Sequence, residues 1–299
     1  KGKTTVSEEK ERIACIDNNE EALLLRLRMI EAAKEEVVFA TFDFREDESG
    51  SDMMAAFYAA AERGVKVKLL LDGMNEFLYL ERSERFHALC THENVELRIY
   101  NPIDALHILN VNYRMHDKYL ITDEQMYLLG GRNSNDIFLG DRKTGINEDR
   151  EIFVYETKTG EGASFLELEE YFSSIWEENC VKAKKFSLKA EKKEMAEAKL
   201  LERYKEICEK YPELSQAADT DWTEETYPVE SITLIHNGTR AEKHEPMMLF
   251  AMEKLLENRK DIFIQTPYVI ADKAMYEVME KAASHADTRI ILNAVEKGS

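Results

Sequence analysis

The chain has 299 residues, 44% of them hydrophobic, with 59 acidic against 40 basic side chains and a net charge of −19. That length and apolar content can bury a substantial core, as one large domain or two medium ones. The acidic balance opposes any broad electrostatic embrace of nucleic acid or anionic lipid, so a phosphate site would have to be local and cationic.

Leu23, Leu27, Ile30 and Ala33 recur at helical spacing ahead of the run Val37 to Phe42, whose unbroken apolarity suits a strand covered on both faces. Ser49 to Asp52 can open the next helix, which passes through Met54, Phe57 and Ala61 and stops at Gly64. Val65 to Leu71 reads as a strand, Phe77 to Cys90 as helical and Val95 to Tyr100 as a third strand. Two short strands follow, over 116 to 122 and over the apolar run Gln125 to Leu129. From Phe186 to Lys210 charges dominate, with Met195, Leu200, Leu201 and Tyr204 among them, which predicts a mostly exposed helix rather than a special interaction arm. Tyr211-Pro212 ends it, a connecting loop rich in acids and threonine covers 213 to 229, and Ser231 to His236 reads as a strand.

An internal repeat then begins. Helix Met247 to Asn258, strand Asp261 to Thr266, helix Asp272 to Ala283 and strand Thr288 to Ala294 follow the order of the first helix, the Val37 strand, the second helix and the Val65 strand. The alternation implies an α/β architecture, a mixed sheet flanked by helices. Three segments are expected: a complete first lobe over 1–185, a charged helix and loop over 186–229, and the start of a second, similar lobe over 230–299. Cys15, Cys90, Cys180 and Cys208 show neither metal-ligand spacing nor the density of a disulfide scaffold. No run approaches the ~20 apolar residues that span a membrane. The chain opens on Lys1 rather than methionine, which suggests a processed or partial product in which a signal or anchor preceded it.

The chemistry concentrates in Met115-His116-Asp117-Lys118-Tyr119-Leu120-Ile121-Thr122-Asp123, followed by Gly130-Gly131-Arg132-Asn133. On a strand, alternation would project His116 and Lys118 into one space. Gly130 and Gly131 would let backbone N–H groups approach an anion closely, and Asn133 adds an amide donor. Histidine can attack phosphorus and split one hard displacement into two easier ones, while Lys118 and Asn133 neutralise the equatorial oxygens. Asp123 would anchor the loop or Lys118. A lone His-x-Lys would read as a satisfied surface pair, but the whole string argues for phosphodiester chemistry.

The pattern H-x-K-x-x-x-x-D followed by G-G-x-N, met here by His116, Lys118, Asp123, Gly130, Gly131 and Asn133, resembles the signature of the phospholipase D superfamily. The context M-H-D-K-Y and L-G-G-R-N-S-N-D, with Asp136 after the second string, is most similar to its bacterial cardiolipin synthase branch. The stretches Val37 to Phe42, Asp47 to Gly50 and Ala59 to Asp72 resemble that branch's first lobe. The resemblance implies a phospholipase D-like fold and a phosphatidyltransferase that uses a covalent phosphohistidine. It also implies an acidic residue that orients the histidine, best matched by Asp149, with Glu148 and Glu151 as close competitors. Gly130, Gly131, Arg132 and Tyr268 would line the substrate site, with Arg240, Lys243 and Glu245 as weaker candidates at its border.

No metal or cofactor is implied. The expected partners are phosphatidylglycerol or a similar phospholipid and a membrane surface, with a homodimer as an option and localisation at a bacterial cell membrane. Hydrolysis by water, a nucleic-acid phosphodiesterase and a non-catalytic phosphate-binding module are the alternatives. The acidic balance and the lack of basic–aromatic clustering count against nucleic acid. The superfamily pairs two such motifs. No second H-x-K occurs in the sequence, and the interval from Val37 to His116, measured on from Ile262, runs past Ser299. The expectation is a truncated second lobe, with low activity for this chain alone.

Overall fold

In a computed structural model of the protein, the described residues are 10–103, 113–237, 246–267 and 269–293. The chain divides into two compact units, the first ending at Thr233 and the second beginning at Leu234.

The first unit runs β1 (Glu11–Ile16), α1 (Asn19–Ala32), β2 (Glu36–Thr41), α2 (Glu48–Glu62), β3 (Lys66–Asp72) and a short α3 (Gly73–Asn75) that leads into a π turn (Glu76–Leu80). It continues with α4 (Glu84–Cys90), β4 (Val95–Tyr100), β5 (Lys118–Thr122), β6 (Met126–Gly130), β7 (Glu151–Glu156), α5 (Ala163–Trp176), β8 (Val181–Ala183), α6 (Ala190–Lys210), a 3-10 segment (Pro212–Asp219) and β9 (Tyr227–Pro228). Among the described residues the strands form a nine-stranded sheet in the order β8-β4-β3-β2-β5-β6-β7-β1-β9. β2, β3 and β4 run parallel and the other pairings are antiparallel, so the sheet is mixed as expected.

Strand periodicity builds two apolar layers. Val37, Phe39, Leu69, Leu71, Leu120 and Leu128 join the core cluster shared with α1, α2, α4 and α6. Alternate residues meet α5 on the other side, where Tyr119 sits edge-on to Phe172 at 6.4 Å and Tyr127 lies 6.5 Å from Phe165. Cover on both faces is why these strands read as unbroken apolar runs. Helix ends follow their capping residues. Asn18 accepts from the N–H groups of Glu20 and Glu21 at the start of α1, and Asp47 accepts from Gly50 at the start of α2. Gly64, with φ +94°, turns the chain out of α2 in a conformation that a side chain would strain.

Several boundaries differ from the sequence reading. β5 starts at Lys118, so His116 precedes the strand. The helical stretch expected over Phe77 to Cys90 is broken, because the π turn ends at Leu80 and α4 restarts at Glu84 with Ser83 as its cap. Ser231 to His236 is not a strand: the edge of β1 is taken by β9, whose contact with β1 ends with the Val229 N–H donating to the Glu11 carbonyl. β1 itself gave no clear signal, since Glu11-Arg12-Ile13-Ala14-Cys15-Ile16 mixes charged and small residues. The charged α6 keeps most of its residues toward solvent, yet Ala196, Leu200 and Ile207 are buried where it packs on α2 and α4.

The second unit contains α7 (Met247–Leu256), β10 (Asp261–Gln265), α8 (Lys273–Ala283) and β11 (Asp287–Ile291). β10 and β11 pair in parallel, with Asp261 opposite Asp287. The repeated order of elements therefore carries a repeated pairing, because β2 and β3 also run parallel, with Glu36 opposite Lys66.

Candidate active site

The residues of the His116 motif gather where β2, β3 and β4 end and β5 begins. Thr41, the last residue of β2, pairs with Lys118, the first of β5. The approach to His116 is held by Asp72 at the end of β3. Its carboxylate accepts from the Met115 N–H at 3.1 Å, the Arg114 guanidinium at 3.3 Å and the Met74 N–H at 3.0 Å. Arg114 also donates to the Asn101 carbonyl at 2.9 Å, tying this loop to the end of β4. Although His116 is not on the strand, its ring meets Lys118 all the same. Lys118 Nζ lies 2.9 Å from His116 Nδ1 and 2.7 Å from the His116 carbonyl oxygen. The Phe42 ring packs 4.7 Å from the imidazole and 5.4 Å from the ammonium.

Burial dominates the electrostatics of the pair. It lowers the His116 pKa, and the neighbouring Lys118 charge adds to the effect. Burial also pulls Lys118 down to about 8 against the opposing charges of Asp117, Asp149 and Asp43. The result is an imidazole kept neutral beside an ammonium close to titration, an arrangement compatible with nucleophilic chemistry.

The facing wall comes from the turn after β6. Asn133 Oδ1 accepts from the Asp43 N–H at 3.3 Å, Asn135 Nδ2 donates to Asp43 at 3.1 Å, and Arg45 grips the same carboxylate at 2.6 Å. Asp136 accepts from the Ser49 N–H at 2.7 Å while its own N–H donates to Asp47, which pins this turn to the start of α2. The two glycines answer a steric demand that the sequence reading did not assign them. A Cβ on Gly130 would lie 2.3 Å from Glu151 Cγ, and one on Gly131 would lie 2.2 Å from an Asp149 carboxylate oxygen. They let Glu151, the first residue of β7, and Asp149 just before the strand close over the turn.

Three assignments change. Arg132 was expected to bind substrate, but it is fully buried. Its guanidinium donates to Asn19 Oδ1, to the carbonyls of Ile16 and Asp17, and to Glu151. Glu151, a competitor for orienting His116, is buried between Arg132 and Arg26, with Arg26 at 2.5 Å and 2.9 Å from its two oxygens. Asp123, counted with the catalytic set as an anchor for the loop or for Lys118, sits just past the far end of β5, roughly 16 Å along the strand from Lys118. With φ +52° it accepts from the N–H groups of Lys34, Glu35 and Glu36, so it anchors the turn into β2.

Asp149 lies over Gly131, accepts from the Arg150 N–H and acts on Lys118 through its charge. No hydrogen bond joins it to His116 among the described residues. Tyr268, Arg240, Lys243 and Glu245 lie outside the described residues. Asp72, Asp43 and Asn135 were missed. So was Tyr171 on α5, whose hydroxyl donates to Asp117 at 2.8 Å. Asp72 had one available signal, a carboxylate closing an apolar strand.

Residues 27–176, half of the chain, match the family model described as the PLD-like domain of cardiolipin synthase. Cardiolipin synthase B of Escherichia coli (strain K12) is 33% identical over 127 residues, covering 42% of this chain and 30% of that protein. The cardiolipin synthase of Clostridium perfringens (strain 13 / Type A) is 26% identical over 253 residues, covering 83% of this chain and 45% of that protein. The chain thus spans less than half the length of these curated relatives. Among solved structures, phosphatidylserine synthase from Haemophilus influenzae Rd KW20 aligns with 94% of this chain and 61% of that chain, with a TM-score of 0.61 at 14% identity, which shows a shared fold. The matched family segment contains the His116–Lys118 pair, the glycine turn and Asp149, and the chain belongs to the cardiolipin synthase PLD-like domain family.

Proposed function

We propose that this chain carries the nucleophile-bearing part of a phosphatidyltransferase of the cardiolipin synthase type, acting on a phospholipid phosphodiester through a covalent phosphohistidine. The observation that carries the reading is the 2.9 Å contact between the solvent-accessible His116 imidazole and a buried ammonium whose pKa is drawn to about 8. In this reading a His116 ring nitrogen attacks phosphorus, a P–N bond forms and the P–O bond to the departing glycerol breaks. A second lipid hydroxyl then attacks the phosphatidyl-histidine and releases His116. Lys118 and Asn133 Nδ2 stabilise the charge that develops on the phosphoryl oxygens. Asp149 balances the Lys118 charge through space.

The departing alkoxide needs a proton from a second acid. We assign that part to a second motif, supplied by a longer polypeptide or by a second copy of this chain. Names of the curated relatives support a phospholipid substrate, and the reading places the enzyme at a bacterial cell membrane.

An aryl phosphodiester tests the first half-reaction alone, because a phenolate departs without being protonated. The protein should release about one phenolate per His116 in a burst, with the phosphoryl group trapped on that residue in an acid-labile, base-stable bond. His116→Asn should abolish both without lowering the melting temperature. Release that persists in His116→Asn would remove the residue from the mechanism.

A further inference from the structure

Next to the site the chain exposes a compact apolar projection. In the π turn, Phe77 is 53% exposed, Leu78 59% and Tyr79 41%. Both ends of that turn are fixed. Leu80 is fully buried, and Glu76 is buried with its carboxylate 2.9 Å from Lys184 Nζ, while the Glu81 N–H donates to the Glu76 carbonyl across the turn. Anchoring the first and last residues forces the three between them outward. A π turn is a costly local geometry, commonly retained where a protein functions.

The projection is tied to the site from two sides. It follows Asp72 and α3, and the same Asp72 carboxylate holds the Met115 N–H beside His116. From the other side, the Arg45 guanidinium lies 4.4 Å above the Tyr79 ring while gripping Asp43, whose N–H donates to Asn133. Gly73 packs so closely on Asn101 and Pro102 that a Cβ there would lie 2.6 Å from each, so the turn cannot drift from the end of the sheet.

We infer that Phe77 and Leu78, with Tyr79 at their base, insert into the lipid surface and bring the His116 cleft to headgroup depth. This rests on the phospholipid reading above. The occupant follows from size, place and charge. Three side chains at the tip of a rigid turn are far too small for a stable protein interface, but they match interfacial insertion, with aliphatic and aromatic tips below an amphipathic tyrosine and an arginine. A phosphodiester at headgroup depth reaches His116 only if that end of the sheet faces the bilayer. Arg45 is paired with Asp43, Arg85 with Glu46, and Lys184 with Glu76 and Glu81, while Arg82 is exposed just past the turn. In a chain of net charge −19 so small a cationic contribution leaves the attraction mainly apolar.

Co-sedimentation with phosphatidylcholine vesicles, and with vesicles that also contain phosphatidylglycerol, tests the assignment. The protein should bind both, with little change as salt is raised. Phe77→Ser/Leu78→Ser should weaken partitioning by about tenfold or more, with an unchanged melting temperature and an unchanged aryl phosphodiester burst. Equal binding by the double variant, no binding by the parent protein, or binding lost as salt is raised would overturn the proposal. So would a parent dimer in sedimentation velocity that the double variant dissolves without any vesicle binding, which would make the patch a contact between copies. If the burst fails while vesicle binding follows the pattern above, the His116 reading falls and the docking surface stands.

Discussion

Lys118 is a buried cation whose proposed chemical role would come at the expense of the fold. Free lysine titrates at 10.5, and burial brings Lys118 to about 8. Between those values the unfolded chain binds more protons than the folded one, so stability rises with pH across that window, and below about 8 the fold bears the cost of a buried charge. Lys118→Met should therefore stabilise the protein at neutral pH by on the order of 1 kcal/mol, while reducing aryl phosphodiester turnover by ~10²–10³. Urea denaturation checks the first expectation, and destabilisation would mean that the ammonium is a structural element. The same titration shapes the rate. The proposed mechanism needs His116 neutral and Lys118 charged, so kcat/KM should fall as pH rises through about 8. Lys118→Arg, which keeps its charge, should shift that limb upward; a limb that stays in place belongs to another group.

Among the elements, the junction of β6 and β7 sets the far wall of the site. Gly130 and Gly131 bring Glu151 and Asp149 close over the turn, and Glu151 is held there by Arg26 and Arg132. Gly131→Ala places a methyl group where the Asp149 carboxylate sits. The displacement should cost about 10²-fold in turnover with little loss of stability. Glu151→Gln removes the anion between two buried guanidinium groups and should cost about 3–5 kcal/mol. Thermal melts beside burst kinetics separate the two. If Gly131→Ala unfolds the protein while Glu151→Gln leaves it stable, the roles given to Asp149 and Glu151 are reversed.

Across the whole first unit, acidity is also stored inside the sheet. Glu11 and Glu156 are directly opposed on β1 and β7, both buried. Burial raises Glu156 to about 7, the Glu11 charge adds to the shift, and the Gly162 N–H opposes it. A carboxyl raised in the fold contributes stability that is complete below its ordinary value of 4.5 and is lost as pH rises through about 7. Asp52, pushed by burial to about 6, acts in the same direction. Stability should therefore decline between about pH 4.5 and 7. Glu156→Gln should flatten that slope and stabilise the protein at pH 8 by roughly 1–3 kcal/mol. Urea midpoints measured across pH test this, and an unchanged slope would assign it to other carboxylates.

Sequence alone determined what periodicity and spacing encode. β2, β3 and β4 were legible because strands covered on both faces must be continuously apolar, and the closeness of His116 to Lys118 was legible because the two lie only two residues apart. Partners distant in sequence were not legible. Arg132 reads as a substrate cation until Ile16, Asp17, Asn19 and Glu151 surround it, and for Asp123 the choice between anchoring the loop and anchoring Lys118 is made only by its bonds to the backbone of Lys34 to Glu36. The glycines pointed to an anion, whereas their immediate cause is the approach of β7. Only tertiary structure decides such questions. A side chain's role depends on which groups the fold brings within hydrogen-bonding distance, and for a charged group in a low-dielectric interior those neighbours outweigh its intrinsic chemistry.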